Sequence, residues 1–221
     1  MDQRNHRSAG KPRRRKESRQ QEILDAAYVV FARKGFAAAR MDDIANEAGI
    51  SKGTLYLYFD GKEEVFKELV VGTFRGQADI LSRAARRSDD RSSAHLLRDS
   101  LRLLGQFVLA SDRVELTKIV IGESGRFPEI ARFYFEEVIG RGTKVWEAIL
   151  REAVARREFR DVPIRHAVRL CMSPIVLAAI WRSSFAQVDP EPFNIEGLIE
   201  SHIDLLLNGL LYQPAKGNTA Q

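Results

Sequence analysis

The sequence predicts an all-α fold, because apolar residues recur at helical spacing along most of the chain and no segment shows the alternation of a β-strand. Glycine, proline and short polar clusters interrupt this pattern and mark the ends of the helices. The composition, 44% hydrophobic and 29% charged, is typical of a globular protein that can bury a core. A length of 221 residues accommodates a small domain joined to a larger one.

Three short helices are predicted near the N-terminus. An apolar face that begins at Ile23 indicates a first helix, which stops at Gly35, and a second helix is centred on Ile44. The second helix ends at Gly49, a residue suited to the left-handed conformation at a helix end. Ser51 follows as a natural N-cap for the third helix. The segment is therefore predicted to form helix, helix, tight turn and helix.

A fourth helix is predicted from Gly61 to about Arg87, and the polar, turn-rich segment 86–93 separates it from the next unit. Pro174 predicts a kink inside a later helix, since proline removes one helical hydrogen bond. Gly140 and Gly142 indicate that the longest of the later helices, 128–158, is bent or split. The later helices are predicted at 93–110, 112–124, 128–158, 164–187 and 194–211.

The net charge of +5 is concentrated near the N-terminus. Residues 1–62 hold 13 Lys/Arg and 8 Asp/Glu, whereas the rest of the chain holds 22 of each. Residues 1–16 are predicted to form a disordered basic tail, which is either solvated or in contact with phosphates. Residues 213–221 are also expected to be disordered.

Several classes of protein are disfavoured by what the sequence contains. The lone Cys171 cannot form an intramolecular disulfide, and no Cys/His cluster or cofactor motif indicates a metal or cofactor. The charged N-terminus does not resemble a secretory signal, and the longest apolar run, 174–181, is too short to span a membrane. The four histidines are scattered and no catalytic constellation is present. We therefore expect a cytoplasmic protein that is not an enzyme and has no membrane partner.

The stretch GISKGTLYLYFDGK, residues 49–62, places aromatic and apolar side chains on a helix too short to persist alone in water. Ile50, Leu55 and Phe59 are expected to pack against the neighbouring helices. Outward aromatics are unusual on a surface without a partner, and a short helix mounted on another helix is the geometry that enters the DNA major groove. The side chains left to project outward are Lys52, Thr54, Tyr56, Leu57 and Tyr58.

The stretch GFAAARMDDIANEAGISKGTLYLYFDGKEEVF, residues 35–66, resembles the DNA-binding signature of the TetR (tetracycline repressor) family of bacterial transcription regulators. More loosely, ESGRFPEIARFYFEEVI at 123–139 is similar to a ligand-domain segment in one subset of that family. The resemblance implies a homodimer that binds double-stranded operator DNA through a helix-turn-helix domain, 17–62, and is released by a small-molecule effector. It also implies a larger helical domain, 63–212, for effector binding and dimerisation.

The resemblance implies which residues contact the DNA. Arg40 stands where the family favours Thr or Ser as an N-cap; arginine cannot cap a helix, but its guanidinium can hold a phosphate. Lys62 matches a phosphate-binding lysine, and Leu57 is expected either to contact a thymine methyl group or only to pad the interface. The expected DNA-binding residues are Arg40, Ser51, Lys52, Gly53, Thr54, Tyr56, Leu57, Tyr58 and Lys62.

The resemblance implies the effector pocket and the dimer interface less specifically. Helices 164–187 and 194–211 are apolar on more than one face, which favours a dimer interface, with the core of a monomer as the alternative. Arg182 and His166 either orient an anionic effector or reach solvent. The rival function is an architectural DNA-binding protein without ligand control. The pocket candidates, each of which is otherwise a core residue, are Phe107, Phe133, Tyr134, Trp146, Met172, Trp181 and Phe185.

Overall fold

The structure is a computed structural model that describes the backbone of residues 10–86, 91–111 and 113–212, with the side chains of these ranges except 10–15, 75 and 77–86. Within these ranges the chain forms ten α-helices and no strand, which confirms the all-α prediction. The helices are α1 (Gly10–Ala38), α2 (Met41–Glu47), α3 (Lys52–Tyr56), α4 (Lys62–Arg86), α5 (Ser93–Ala110), α6 (Glu115–Glu123), α7 (Pro128–Tyr134), α8 (Gly140–Ala155), α9 (Ile164–Ser184) and α10 (Ile195–Leu210).

The first helix is longer than the sequence predicted. It begins at Gly10, so residues 10–16, expected to be part of a disordered tail, belong to α1. The physical reason is that Lys and Arg are good helix formers and that Pro12 falls in the first turn, where a missing N–H is tolerated. The expectations for residues 1–9 and 213–221 lie outside the described residues.

Gly49 ends α2 as predicted, whereas Gly35 interrupts α1 at the place where the sequence predicted its end. Gly35 has φ 74° and ψ 167°, a conformation that other residues rarely adopt, and it interrupts α1 before a last turn that reaches Ala38. Gly49, with φ 64°, follows α2 in the left-handed conformation. Both interruptions lie beside the short helices, so they set the directions in which α2 and α3 leave their predecessors.

The long predicted helix 128–158 is divided into α7, a π-helical segment Phe135–Ile139, and α8. Gly140 lies at the second junction, where a Cβ atom would come within 3.1 Å of the carbonyl oxygen of Phe135. The residues on both sides of the π-helical segment keep helical φ and ψ, so the run is irregular but continuous, and a bend or split caused by glycine stays a prediction. By contrast, α9 runs through Pro174 as one helix, and the kink there remains a prediction.

The chain divides into two compact units. The N-terminal unit comprises residues up to Thr73 together with Ile119–Ala131, so it extends beyond the predicted domain 17–62. Its core contains an aromatic cluster in which Phe36 packs with its ring centroid 5.1 Å from that of Phe66 and 4.9 Å from that of Phe127. Phe127 belongs to this unit although it is distant in sequence, because its ring fills the end of that cluster.

The C-terminal unit comprises Phe74–Lys118 and the chain from Arg132 onward, and its core lies among α5, α8, α9 and α10. Trp146 is fully buried there, and its indole N–H donates to the hydroxyl of Ser100 over 3.0 Å. A Cβ atom at Gly105 would lie 3.0 Å from Ile199, so glycine allows α5 and α10 to approach closely. Burial raises the pKa of Cys171 to about 12, which keeps this core thiol protonated and inert.

Candidate nucleic-acid interface

The helix α3 is only five residues long, so its conformation depends on its cap and on its packing. The Ser51 hydroxyl accepts a hydrogen bond from the backbone N–H of Thr54 over 3.0 Å, and the two hydroxyls lie 2.8 Å apart. Leu55 and Phe59 are buried at 0% and 2% exposure. The predicted N-cap is therefore confirmed, as is the burial of Leu55 and Phe59, whereas Ile50, predicted to pack with them, is only half-buried.

The opposite face of α3 is open to solvent. Leu57 is 79% exposed and Tyr56 is 46% exposed, an unusual position for large apolar side chains. Lys52 and Gly53 are exposed beside them, and Thr54 is half-buried. The predicted outward direction is confirmed for Lys52, Tyr56 and Leu57, whereas Thr54 and Tyr58 are half-buried. We call residues 52–54 and 56–58 together the α3 face.

Lys52 on the α3 face is paired with Asp42 of α2, with 2.7 Å between the ammonium nitrogen and a carboxylate oxygen. This hydrogen bond raises the pKa of Lys52, so the side chain stays charged. Both side chains are more than half exposed, and an ion pair of that kind contributes little free energy. Lys52 can therefore exchange this carboxylate for a phosphate group.

Arg40 occupies the N-cap position of α2 and makes no capping hydrogen bond with its side chain, as its chemistry predicts. The carboxylate of Asp43 instead accepts from the Arg40 backbone N–H over 3.0 Å and from the ammonium group of Lys34 over 2.7 Å. The Lys34 hydrogen bond lowers the pKa of Asp43. The Arg40 guanidinium remains exposed, next to the start of α2.

Lys62 is engaged with the backbone of the protein itself, and the phosphate contact that the resemblance implies for it stays a prediction. Its ammonium group donates to the carbonyl oxygens of Phe36, Ala37 and Ala39 over 2.9, 3.0 and 3.2 Å, and it lies 4.7 Å from the centre of the Phe36 ring. An ammonium group has three N–H donors, and all three are used here. Lysine at the first residue of α4 reaches the unpaired carbonyls at the end of α1, so a phosphate contact would require it to release one of them.

The structure also brings in two residues that the sequence did not indicate. The carboxylate of Glu123, the last residue of α6, accepts from the backbone N–H of Ala37 over 3.2 Å. The ring of Phe127 packs on Phe36 at 82° between the ring planes. The hydrogen-bonded residues are 86 positions apart, and no local pattern around Glu123 signals a partner near residue 37.

The predicted effector residues do not converge on one place. Phe74 packs against both Phe107 and Tyr134, with ring centroids 5.8 and 5.7 Å away. The Tyr134 hydroxyl lies 3.5 Å from the hydroxyl of Thr117, a long hydrogen bond, and burial raises the pKa of Tyr134. These four residues form a mainly apolar cluster with two hydroxyl groups, which we call the Tyr134 cluster.

The other predicted effector residues lie elsewhere in the C-terminal unit. Trp181 packs on Phe185 and Phe193, and its indole N–H donates to the carboxylate of Asp189 over 2.9 Å. Trp146 is a core residue, as described above, and Phe185 is 48% exposed. The remaining two candidates, both half-buried, are Phe133 and Met172.

The two polar candidates, Arg182 and His166, lie in different surroundings. One guanidinium nitrogen of the half-buried Arg182 donates to the carbonyl oxygens of Val108 and Leu109 at the end of α5. Arginine near a helix C-terminus finds unpaired carbonyls, which is the physical reason. His166 is exposed on α9.

A separate groove of about 240 Å³ lies between α5 and α10. It includes none of the predicted effector residues. Arg102 on one wall forms two hydrogen bonds of 2.6 Å with the carboxylate of Glu200 on the other, so this exposed pair joins the two walls. The groove is lined by Arg102, Gly105, Gln106, Leu109, Glu196, Ile199 and Glu200.

Helices α9 and α10 each bury one face in the core and expose apolar side chains on another face. Leu170 and Leu177, seven residues apart on α9, are 56% and 47% exposed, and Leu205 on α10 is 73% exposed. By length and composition α9 is apolar enough to cross a membrane, but core helices of soluble proteins pass the same test, and its residue Cys171 is fully buried in the core. Among the described residues no group of His, Cys, Asp or Glu is arranged to hold a metal ion.

A capped short helix that follows a left-handed glycine, packs on the preceding helix and exposes its opposite face defines a helix-turn-helix DNA-binding protein. The chain belongs to the TetR family: residues 23–69 match the bacterial regulatory proteins of the tetR family, and residues 95–209 match the C-terminal domain of AefR-like transcriptional repressors. The protein is accordingly a transcriptional regulator, and its family and relatives are not enzymes.

Relatives match either the whole chain or the DNA-binding segment. The transcriptional repressor KstR2 of Mycobacterium tuberculosis is 34% identical over 170 residues, 74% of this chain and 81% of that protein. The regulator YfiR of Bacillus subtilis is 49% identical over 55 residues, which are only 25% of this chain and 27% of that one.

Solved structures share the fold over most of the chain. KstR2, described as a ketosteroid transcriptional regulator, has a TM-score of 0.64 at 24% identity, covering 88% of this chain and 96% of its own. The fatty acid degradation regulator FadR from Bacillus halodurans has a TM-score of 0.68 at 21% identity, covering 88% and 97%. At these identities the two structures support the fold.

Proposed function

We propose that the protein is a ligand-responsive repressor that binds a pseudo-palindromic operator as a homodimer and is released from it by a small-molecule effector. The observation that carries the DNA-binding part is the α3 face, because Leu57 and Tyr56 are exposed on a helix that packing and capping hold rigid. Exposed apolar side chains on a rigid element gain free energy when a partner covers them.

The residues divide by the part of DNA that suits their chemistry. Arg40 and Lys52 are exposed cations suited to phosphates, and Tyr56 and Leu57 present surfaces that suit base edges and thymine methyl groups. Gly53 has only the Ser51 hydroxyl within 4 Å of the position of a Cβ atom, so a DNA strand can approach its backbone. The remaining proposed contacts come from Ser51, Thr54 and Tyr58. Lys62 stabilises the interface indirectly, because it binds the carbonyl groups at the end of α1.

The exposed apolar surface of α9 and α10 supports the homodimer. Leu170, Leu177 and Leu205 remain in water in the single chain, whereas a second copy related by a two-fold axis would cover them. A two-fold dimer presents two copies of α3, which read two half-sites about 34 to 36 Å apart or at another spacing that the dimer sets. The proposed partner surface is the helices 164–187 and 194–211 of a second chain.

The Tyr134 cluster supports an apolar effector that carries a hydrogen-bond acceptor. Phe74 and Phe107 supply aromatic surface, and the raised pKa of Tyr134 keeps its hydroxyl protonated as a donor. The 3.5 Å distance to Thr117 leaves that donor weakly satisfied. KstR2 and FadR are named for ketosteroids and fatty acid degradation, so sterol-like and fatty-acyl compounds are the classes to test first.

Residues 1–62 account for the whole excess of positive charge, whereas residues 63–221, which include the large core of the C-terminal unit, balance to zero. An architectural protein binds DNA through its positive charge and does not need a large core of this kind. We therefore prefer a regulator under ligand control to an architectural DNA-binding protein. We place the regulator in the cytoplasm, on the nucleoid when it is bound to DNA.

Selection of bound fragments from random DNA by the full-length protein tests the proposal. We expect enriched fragments with two inverted half-sites, and release of the bound fragment by a sterol or fatty-acyl compound in a mobility-shift titration. Enrichment of no common sequence would contradict the operator, and a fragment bound equally at every concentration of both compound classes would contradict the proposed effector chemistry.

A further inference from the structure

The last turn of α1 and the residue that follows it, 36–39, are held from two sides by residues distant in sequence. We call this segment the junction turn. Gly35 departs from helical geometry immediately before it, and Arg40, the N-cap of α2, follows immediately after it. The direction of α2, and with it that of α3, therefore depends on how the junction turn is fixed.

One side of the junction turn is fixed through a backbone N–H group. An interruption in a helix leaves the following N–H groups in the situation of a helix N-terminus, where a carboxylate is a favourable acceptor. Here the acceptor comes from elsewhere in the chain, because the carboxylate of Glu123 binds the N–H of Ala37. The same carboxylate oxygen lies close to Gly35 as well, 3.4 Å from the position that a Cβ atom would take there.

The other side is fixed through carbonyl groups. Lys62 binds the carbonyl oxygens of Phe36, Ala37 and Ala39, which a helix end leaves without helical partners. The peptide groups of Ala37 are thus held on both sides, the N–H by Glu123 and the C=O by Lys62. Phe127 completes the contact by packing on the Phe36 ring.

We infer that Glu123 and Lys62 are positioning residues for operator binding: they hold the junction turn by hydrogen bonds to its backbone and so orient α2 and α3 for the DNA. The inference rests on the proposed operator binding by the α3 face. Rigid orientation matters most for contacts with base edges, whereas attraction to phosphates tolerates movement. Loss of Glu123 should therefore weaken operator binding more than non-specific binding.

The main experiment compares Glu123→Ala with Glu123→Gln in the full-length protein. Glutamine keeps a carbonyl acceptor for the Ala37 N–H but removes the charge, so it separates hydrogen bonding from electrostatics. The probes are a duplex selected from random DNA by the wild-type protein and a scrambled duplex of the same composition. Glu129→Ala, which removes an exposed carboxylate in the same segment, is the matched control.

We expect Glu123→Ala to lower affinity for the selected duplex by about tenfold and affinity for the scrambled duplex by less than about twofold. Glu123→Gln and Glu129→Ala should keep the wild-type ratio of the two affinities. An unchanged ratio in Glu123→Ala would overturn the inference. Equal losses in the Gln and Ala variants would also overturn it, because they would show an effect of charge.

Amide hydrogen exchange tests the same hydrogen bond without DNA. The Ala37 amide should exchange at least about tenfold faster in Glu123→Ala than in the wild type, while the Phe59 amide, bonded to the Leu55 carbonyl, keeps its rate. Equal Ala37 rates in the two proteins would refute the positioning role. A different outcome separates the two proposals. If Tyr56→Ala keeps full operator affinity while the Ala37 amide exchanges faster in Glu123→Ala, the α3 face does not bind the operator, but Glu123 still holds the junction turn.

Discussion

The two units of this protein differ in how their predicted site residues are brought together. In the N-terminal unit the expected DNA-binding residues come from one stretch, 40–62, and the structure places them around one short helix. In the C-terminal unit the expected effector residues come from 107–185 and lie in at least three places, the Tyr134 cluster, the core around Trp146 and the surroundings of Trp181. A site carried by one local motif can be located from its spacing, whereas a site assembled from distant helices cannot.

The largest expected effect tests whether α3 depends on its buried side. Phe59→Ala removes a 2% exposed ring that anchors a five-residue helix, so it should lower the free energy of unfolding of the N-terminal unit by about 3 to 5 kcal/mol. Chemical denaturation followed by circular dichroism measures this change. A loss below about 1 kcal/mol would show that α3 does not depend on this anchor.

The next effect concerns the exposed surface of the C-terminal unit. Leu205→Glu places a charge on the surface that we assign to the dimer, and it should weaken self-association by about a hundredfold or more. Analytical ultracentrifugation measures it. Val29→Glu, on another exposed apolar residue, is the control and should leave association unchanged. Equal sedimentation of the Leu205 variant and the wild type would exclude this surface.

Tyr56→Ala tests the exposed side of α3. Because Tyr56 is 46% exposed and forms no part of the core, the substitution should change the free energy of unfolding by less than about 0.5 kcal/mol from the wild-type value. Operator affinity should fall by roughly tenfold to a hundredfold, since base contacts are worth about 1 to 3 kcal/mol each. A mobility-shift titration with selected DNA measures the change, and full affinity in this variant would remove the α3 face from the interface.

The two lysines of the motif provide a sharper comparison within one unit. Lys52→Met should reduce the slope of log affinity against log salt by about one, as expected for a lost phosphate contact. Lys62→Met should leave that slope unchanged and lower stability by roughly 1 to 3 kcal/mol, because three carbonyl groups lose a partner. A reduced slope in the Lys62 variant would restore its expected role at a phosphate.

The smallest effect is a pH dependence in the C-terminal unit. Burial lowers the pKa of His202, whose Nε2 atom has no hydrogen-bond partner in the described part of the chain. The unfolded chain therefore binds a proton more readily, so stability should fall as the pH drops below about 6.5. The loss between pH 7 and 5 should be small, because His202 is only partly shielded from solvent, and it is measured as the difference from His202→Asn. Parallel pH profiles of the two proteins would contradict it.

Local patterns predicted most of the fold. Gly35, Gly49 and Ser51 identified the ends of the first helices, because a left-handed turn and an N-cap are decided by the residue itself. Near Gly140 the same patterns predicted only a bend or a split, and they did not indicate the π-helical segment that precedes this glycine. They do not predict the start of α1, because a run of cations is compatible with both a helix and a disordered tail.

The sequence by itself determined the helical class, the helix-turn-helix and the outward direction of Tyr56 and Leu57, since these follow from spacing along a short segment. Only the tertiary structure decided the partners of Lys62, Arg182 and Glu123. Each of these long side chains satisfies backbone groups at a helix end or interruption that lies 23 to 86 residues away. Unpaired peptide groups attract any charged side chain within reach, and the reach is set by how the helices pack.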